Sequence, residues 1–485
     1  MRMKVSDYIA RKLVDEGISD VFMVTGGGAM HLDDGLGHEP GLNCTFNHHE
    51  QACAIAAECY ARIHNKIAAV CVTTGPGGTN AITGVVGGWL DSIPMLILSG
   101  QVRYDTTARS TGLGIRALGD QEFEITKAID CMTKYCEMVI DPMRIRFCLE
   151  KALYLAQTGR PGPCWLDIPL NVQGAYVETE ELLGFDKNDY EAGGTGWSVH
   201  GSGCDGCGLC AGKLIQGKPA MIPEDEAGNG EKRELLPPSV SLDLAREIVK
   251  KVREAKRPVI NAGNGIRIGK AFDVFQRVVE MLGIPVVTGW NSLDCMYDSH
   301  PLYVGRAGHM GDRPGNFAVQ NCDLLLSLGS RLSIRQVGYN YPTWAREAYV
   351  IYNDIDAEEL KKPTVHVDMP VHADVKDLLE KMEMVLEVEA VSADGGPKDK
   401  EAVDWWISRC QQWKEKYPVV LPKHYEAGDD KPANIYAAIK EISRRAEEDQ
   451  ITVVGNGSPC VVGGQAYEMK KGQRFISNSA IASMG

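Results

Sequence analysis

Ala68-Ala69-Val70-Cys71-Val72-Thr73-Thr74-Gly75-Pro76-Gly77-Gly78-Thr79-Asn80 joins an apolar run to a glycine-rich turn and the opening of a helix. Residues 68–73 read as a buried strand and residues 79–90 as the helix that follows. The same alternation surrounds this stretch. Residues 4–16 carry a helical pattern, and residues 21–24 form a short apolar run broken by Gly26-Gly27-Gly28. Residues 48–62 read as a helix rich in small residues, and residues 95–98 as a further strand. Short apolar strands alternating with helices imply a parallel sheet covered on both faces. Glycines at the turn permit positive φ and close approach of another backbone. A turn at the C-terminal end of such a strand is a common ligand position in α/β sheets.

The alternation continues along the chain. A turn and a last strand at 160–169 close a first domain, placed at 1–185. Residues 186–238 are rich in Gly, Pro and charge and read as an inserted linker. A second α/β unit spans 239–392, with strands at 258–261, 285–287, 324–328 and 350–353. Residues 393–431 hold a linker and a helix. A third unit opens at 432 with a helix at 434–445 and a strand at 451–454. The fold class is therefore α/β: three consecutive doubly wound parallel-sheet domains.

The bulk numbers fit a metabolic enzyme. The chain has 485 residues, 44% hydrophobic and 24% charged, with a net charge of −14. That charge argues against nucleic acid or an anionic membrane as the main partner. The N-terminus has no apolar signal core and no run approaches a membrane span. The 15 cysteines are expected to be mostly reduced, in the cytoplasm.

Asn47-His48-His49-Glu50-Gln51-Ala52 holds the most telling acid. Asn47-x-x-Glu50 fits a capping box, with Asn47 as N-cap and Glu50 at the third helical position. Eight markers then fall in a fixed order: His49-Glu50-Gln51-Ala52, Ala56-Ala57-x-x-Tyr60-Ala61-Arg62, the Gly-Pro-Gly turn, Asp91-Ser92-x-Pro94, Ser99-Gly100-Gln101, Gln121-Glu122, Thr133-Lys134 and Thr158-Gly159-Arg160-Pro161-Gly162-Pro163. In this order they resemble thiamine-diphosphate enzymes of the acetolactate synthase type.

The resemblance implies a transferase of branched-chain amino acid biosynthesis. Such a carboligase decarboxylates pyruvate and passes the two-carbon unit to a 2-oxoacid. The alternatives are a 2-oxoacid decarboxylase, transfer to a keto-sugar nucleotide, or a non-catalytic homologue or subunit. By resemblance Glu50 is the acid that starts the cofactor's chemistry, through a hydrogen bond to its aminopyrimidine ring. Gln121 matches a glutamine near the thiazolium, and Lys134 a lysine on the way to the reacting centre. Gly27, Gly28, Thr74, Gly75, Pro76 and Asn80 match cofactor-binding positions, as do Gly455, Asn456, Gly457, Ser458, Met484 and Gly485. Leu118-Gly119-Asp120 replaces the Ala-Phe that the synthases carry before Gln-Glu, which leaves the acceptor open. FAD is implied for the central domain, with Arg160, Gly263, His309, Asp354 and Asp356 at matching positions. The family forms homodimers or homotetramers, with the cofactor between subunits.

Members of that family run on from the Ser-Met-Gly turn into a motif whose Asp and Asn hold Mg²⁺. The expectation is a truncated third domain, magnesium ligands beyond residue 485, and an inactive fragment. Cys204-Asp205-Gly206-Cys207-Gly208-Leu209-Cys210 has spacing suited to zinc or an iron–sulfur cluster, or it is a linker with incidental cysteines.

Overall fold

The computed structural model describes residues 1–198, 232–390, 396–426, 432–478 and 480–483. The chain divides into two compact units, Met1–Leu236 and Pro237–Gly485.

In the first unit six parallel strands run in the order Asn43–Phe46, Asp20–Met23, Ala68–Val72, Met95–Gln101, Pro163–Pro169, Tyr135–Met138. The three strands Ala68–Val72, Met95–Gln101 and Pro163–Pro169 are buried along their whole length. That is why they read as unbroken apolar runs and not as alternation. Alternate residues still sort to opposite faces. Val21, Met23, Ala69, Cys71, Leu96, Leu98 and Leu166 share one core with the helices Val5–Asp15 and Ile145–Gln157. The other face is covered by Glu50–His64 and Pro76–Asp91. Those two helices pack closely, because a Cβ on Gly84 would stand 2.4 Å from the Cβ of Ala54.

The Gly-Pro-Gly stretch is more helical than its composition indicates. The helix begins at Pro76, three residues before the expected start, with Gly75 as N-cap. Proline fits the first helical position, since it lacks only an N–H that would find no intrahelical partner there.

Residues 187–198 read as linker but fold onto the first unit. Lys187–Glu191 is a short helix, and Trp197–Ser198 pairs antiparallel with Gly184–Phe185. Trp197 stacks on Phe147, with ring centroids 3.8 Å apart and an angle of 12°. Where description resumes, Arg233 returns to the same place. Its backbone N–H donates to Glu191 O, and its guanidinium lies 4.0 Å from the Tyr190 ring centroid.

The second unit holds another six-stranded parallel sheet. Its order is Tyr303–Arg306, Val286–Thr288, Pro258–Ala262, Leu324–Leu328, Tyr349–Asp354, Met369–His372. In chain order this is 3-2-1-4-5-6, the dinucleotide-binding arrangement. The two strands that sequence reading did not identify are the two edges. One carries Gly305 and the other Pro370, which an edge tolerates and a central strand does not. The helix Lys400–Lys416 belongs to this unit: Trp406 is buried and donates its indole N–H to Pro258 O at 3.1 Å.

Further along, Ile451–Val454 pairs in parallel with Arg474–Ser477, beside the helices Ile435–Arg445 and Ser458–Ala466. Asp294 joins these elements to the six-stranded sheet, because its carboxylate meets both Arg267 and Arg474. Arg306 adds a second tie, donating to Gln465 O and Tyr467 O while paired with Asp298.

Gly84→Val tests the close helix pair. The added branches have no room against Ala54, so the variant should lose about 1–3 kcal/mol of stability in urea unfolding. Combining it with Ala54→Gly should recover part of that loss.

Candidate functional site

The first sheet has its topological switch between Asp20–Met23 and Ala68–Val72, since the chain leaves these neighbours in opposite directions. Ligands bind outside the carboxyl ends of strands at such a point. Two turns meet there: the Gly28 N–H donates to Thr73 Oγ1 at 3.0 Å. Gly27 opens the single helical turn Gly27–Ala29 beside it. Thr74 is buried and Pro76 caps the rim as the first helical residue.

Glu50 stands at the same end of the sheet, just past the strand Asn43–Phe46. It is the first residue of its helix, and the N-cap is His49, whose Nδ1 accepts the Gln51 N–H at 3.1 Å. The expected capping box from Asn47 is therefore corrected. Asn47 Oδ1 is buried and takes no hydrogen bond among the described residues, so it caps nothing, and the Asn47 N–H donates to Met23 O at 3.1 Å, extending the sheet's bonding beyond the strand. Glu50 Oε2 accepts from Asn80 Nδ2 at 3.0 Å. Its Oε1 takes no hydrogen bond among the described residues.

Asn80 lies one turn along from Gly75, and Gly75 meets Gln121. The φ of Gly75 is +58°, and a Cβ there would fall 2.3 Å from Gln121 O. No other residue fits both the conformation and the contact. Gln121 itself has φ +60° and an exposed side chain. One helix start thus gathers Glu50 through Asn80 and Gln121 through Gly75.

Lys134 is not part of this gathering. It precedes the strand Tyr135–Met138, so it lies at the N-terminal end of the parallel sheet, opposite Glu50. Its ammonium donates to Thr158 O, and burial lowers its pKa. Arg160 lies at that end too, donating from Nε to Ser92 Oγ at 2.8 Å. Arg62 and Asp91, both among the ordered markers, form a buried ion pair with Glu58 joining them.

Asp33 was not singled out by its sequence context, where Leu32-Asp33-Asp34 reads as an ordinary solvated turn of helix. Its Oδ2 accepts the Gly26 N–H at 3.1 Å, and its Oδ1 is buried without a partner among the described residues. Burial pushes its carboxyl up to about 6, against the pull of that backbone bond.

In the second unit the switch falls at Gly263. Its N–H donates to Leu328 O, and the Gly265 N–H to Gly329 O, both at 2.9 Å. Asp354, buried at the end of the strand Tyr349–Asp354, accepts from the Asp356 N–H at 3.0 Å and from Tyr352 Oη at 3.2 Å. His309 is exposed beyond an edge strand and donates from Nδ1 to Arg335 O at 2.9 Å. The strands leading to His309 and Asp354 are four positions apart, about 19 Å across the sheet. Gly455-Asn456-Gly457 links the strand Ile451–Val454 to the helix opening at Ser458, and Asn456 Nδ2 donates to Ala482 O at 3.0 Å.

Met484, Gly485, Cys204, Cys207 and Cys210 lie outside the described residues. Among the described residues no group of three or more His, Cys, Asp or Glu side chains could hold a metal ion. No helix among them is long and apolar enough to cross a membrane.

Two family models match this architecture. The thiamine pyrophosphate enzyme N-terminal TPP binding domain matches residues 3–123, and the thiamine pyrophosphate enzyme central domain matches residues 245–382. Together they cover more than half of the chain, which belongs to the thiamine pyrophosphate enzyme family. The acetolactate synthase large subunit of Lactococcus lactis is 29% identical over 99% of this chain and 71% of its own length. Acetolactate synthase isozyme 3 large subunit of Escherichia coli is 26% identical over 99% of this chain and 73% of its own. The chloroplastic acetolactate synthase 1 of Zea mays is 27% identical over 99% and 65% respectively.

The raised acid at Asp33 has a measurable sign. The folded protein holds this proton more tightly than the unfolded chain, so stability falls as pH rises from about 4 through about 6. Asp33→Asn removes the ionisation. Its stability relative to the native protein should therefore climb across that window and level off above it, in urea unfolding at a series of pH values.

Proposed function

We propose that this chain is the catalytic large subunit of an acetolactate synthase-type carboligase. It decarboxylates pyruvate and transfers the two-carbon unit to a 2-oxoacid. The observation that carries this reading is the Glu50 carboxyl, held on one oxygen by Asn80 and open on the other, at the switch point of the domain that matches the thiamine pyrophosphate model. The residues fit the cofactor. An open carboxyl oxygen can hold a ring nitrogen, and Gly75 leaves backbone within reach.

Thiamine pyrophosphate supplies, when bound, a carbon nucleophile and an electron sink for the decarboxylation. The chain's own residues do the rest. Glu50 would offer its Oε1 to a nitrogen of the cofactor's ring, while Asn80 fixes the carboxyl's rotamer. Gln121 is held at the crevice mouth by its backbone contact with Gly75 and orients the 2-oxoacid with its amide. Gly27, Gly28, Thr74 and Pro76 shape the wall, and Gly455, Asn456, Gly457 and Ser458 form a second cofactor loop. Lys134 and Arg160 are assigned no part in the crevice.

Magnesium would neutralise the cofactor's diphosphate, whose charge is costly to bury uncompensated. We assign it no ligand in this chain. Gly263, Asp354, Asp356 and His309 line the C-terminal edge of a dinucleotide-type sheet, and we assign them to FAD. The enzyme is read as a cytoplasmic homodimer or homotetramer. The exposed Asp120 beside Gln121, where the synthases carry an aromatic, favours a polar acceptor as the second reading, including a keto-sugar nucleotide.

Glu50→Gln should lower product formation from pyruvate, thiamine pyrophosphate and Mg²⁺ by about 100-fold or more. Full activity in this variant would remove Glu50 from the reaction. Purified protein should show flavin absorbance; a colourless, fully active preparation would exclude a required FAD. Product analysis with pyruvate plus each acceptor class separates acetolactate formation from simple decarboxylation and from sugar transfer.

A further inference from the structure

The strand Met95–Gln101 ends in a side chain with no free hydrogen-bonding position. Gln101 Oε1 accepts from Thr74 Oγ1 at 2.7 Å and from the Val102 N–H at 3.0 Å. Its Nε2 donates to Phe123 O at 2.9 Å and to Asp167 Oδ2 at 3.0 Å. A primary amide has two acceptor sites and two donors, and all four are used. Gln101 therefore bridges two segments that meet at Gly75 and Gln121: the turn carrying Thr74, and the loop ending at Phe123.

The amide is held in turn by Asp167. This residue is fully buried on the neighbouring strand, directly across from Ser99. Its Oδ1 accepts from Ser99 Oγ at 2.6 Å, and Ser99 Oγ accepts from Trp165 Nε1 at 2.8 Å. The chain of donors fixes the polarity of Gln101. Flipping its amide would set its oxygen against Asp167 Oδ2 and Phe123 O, and its NH₂ against the Val102 N–H.

We propose that Asp167, acting through Gln101, is a positioning residue that sets the separation of the Thr74–Gly75 turn from the Gln121–Phe123 loop. The role concerns how well the crevice receives thiamine pyrophosphate, and so rests on the crevice reading above. Nothing else on the sheet requires an acid here. A buried carboxyl among apolar strands is costly unless its bonds do something an apolar residue could not.

Burial pushes Asp167 up to about 7, opposed by the Ser99 and Gln101 bonds; Glu124 adds to the rise and Arg109 opposes it. The brace survives this titration. With the proton on Oδ1, Oδ2 still accepts from Gln101; the cost falls on Ser99, whose hydroxyl proton gives up Oδ1 as its acceptor. Asparagine can do the same, with its oxygen toward Gln101 and its NH₂ toward Ser99 Oγ.

Three variants test this: Asp167→Ala, Asp167→Asn and Gln101→Met. Two measurements apply to each. One is amide hydrogen exchange of the cofactor-free protein; the other is calorimetric titration with thiamine pyrophosphate and Mg²⁺. Asp167→Ala and Gln101→Met should exchange faster in residues 74–78 and 121–125 and bind about tenfold more weakly. Asp167→Asn should restore both to near the native values. Should Asp167→Ala not fold, Gln101→Met, which leaves Asp167 on Ser99, carries the same test. Native exchange in both segments together with native affinity in Gln101→Met would overturn the proposal. Faster exchange spread evenly over the first unit, with native affinity, would reduce Asp167 to a structural role and overturn it equally. A native protein that binds no thiamine pyrophosphate would sink the crevice reading, while the exchange data would still judge the spacing.

Discussion

The contact between Ala54 and Gly84 governs the placement of everything at the first crevice. Two helices covering one face of a sheet ordinarily lie 8–10 Å apart, set by the side chains between them. Small residues along this seam bring them close enough for an amide on one to reach a carboxyl on the other. The Glu50–Asn80 bond is a by-product of that approach. The same second helix, at its N-terminal end, brings Gly75 against Gln121. The reach of Asn80 and the contact at Gly75 are thus fixed by one rigid element, and neither can drift without the other.

Much of this was legible in the chain. Parallel strands buried on both faces leave continuous apolar runs, so residues 68–73, 95–98, 258–261 and 324–328 were readable. The edge strands Tyr303–Arg306 and Met369–His372 were not, because an edge admits Gly and Pro that deny the pattern. Glu50 was legible from its ordered neighbours, but its cap was not. Whether Asn47 or His49 opens the helix depends on which side chain reaches the first free N–H groups, and His49 Nδ1 takes the Gln51 N–H while Asn47 Oδ1 reaches none. The position of Lys134 was hidden for a related reason. Without the strand Tyr135–Met138 in view, nothing told which end of the sheet the lysine would occupy.

The two sheets differ in what they leave open. In the first, Glu50 accepts on one carboxyl oxygen from Asn80, and Asp33 Oδ1 is buried without a partner among the described residues. In the second, the glycine loop at the switch is closed by its neighbour's backbone, and Asp354 is engaged by its own strand. The first presents side-chain carboxyl oxygens at its switch; the second closes its switch with backbone, and Asn353 Oδ1, on the strand Tyr349–Asp354, is a buried acceptor without a partner among the described residues.

Trp197 and Arg233 have a consequence for how this protein can vary. Trp197 is fastened to Phe147 by stacking and to Phe185 by strand pairing, and Arg233 to the short helix Lys187–Glu191 by its bond to Glu191 and its place over Tyr190. Residues 197 and 233 are thus both held on the first unit. The entropy of closing a stretch between two held points grows only with the logarithm of its length, so doubling it costs about 0.6 kcal/mol. Sequence gained or lost between these two points therefore costs little in closure entropy while the contacts of Trp197 and Arg233 stay in place.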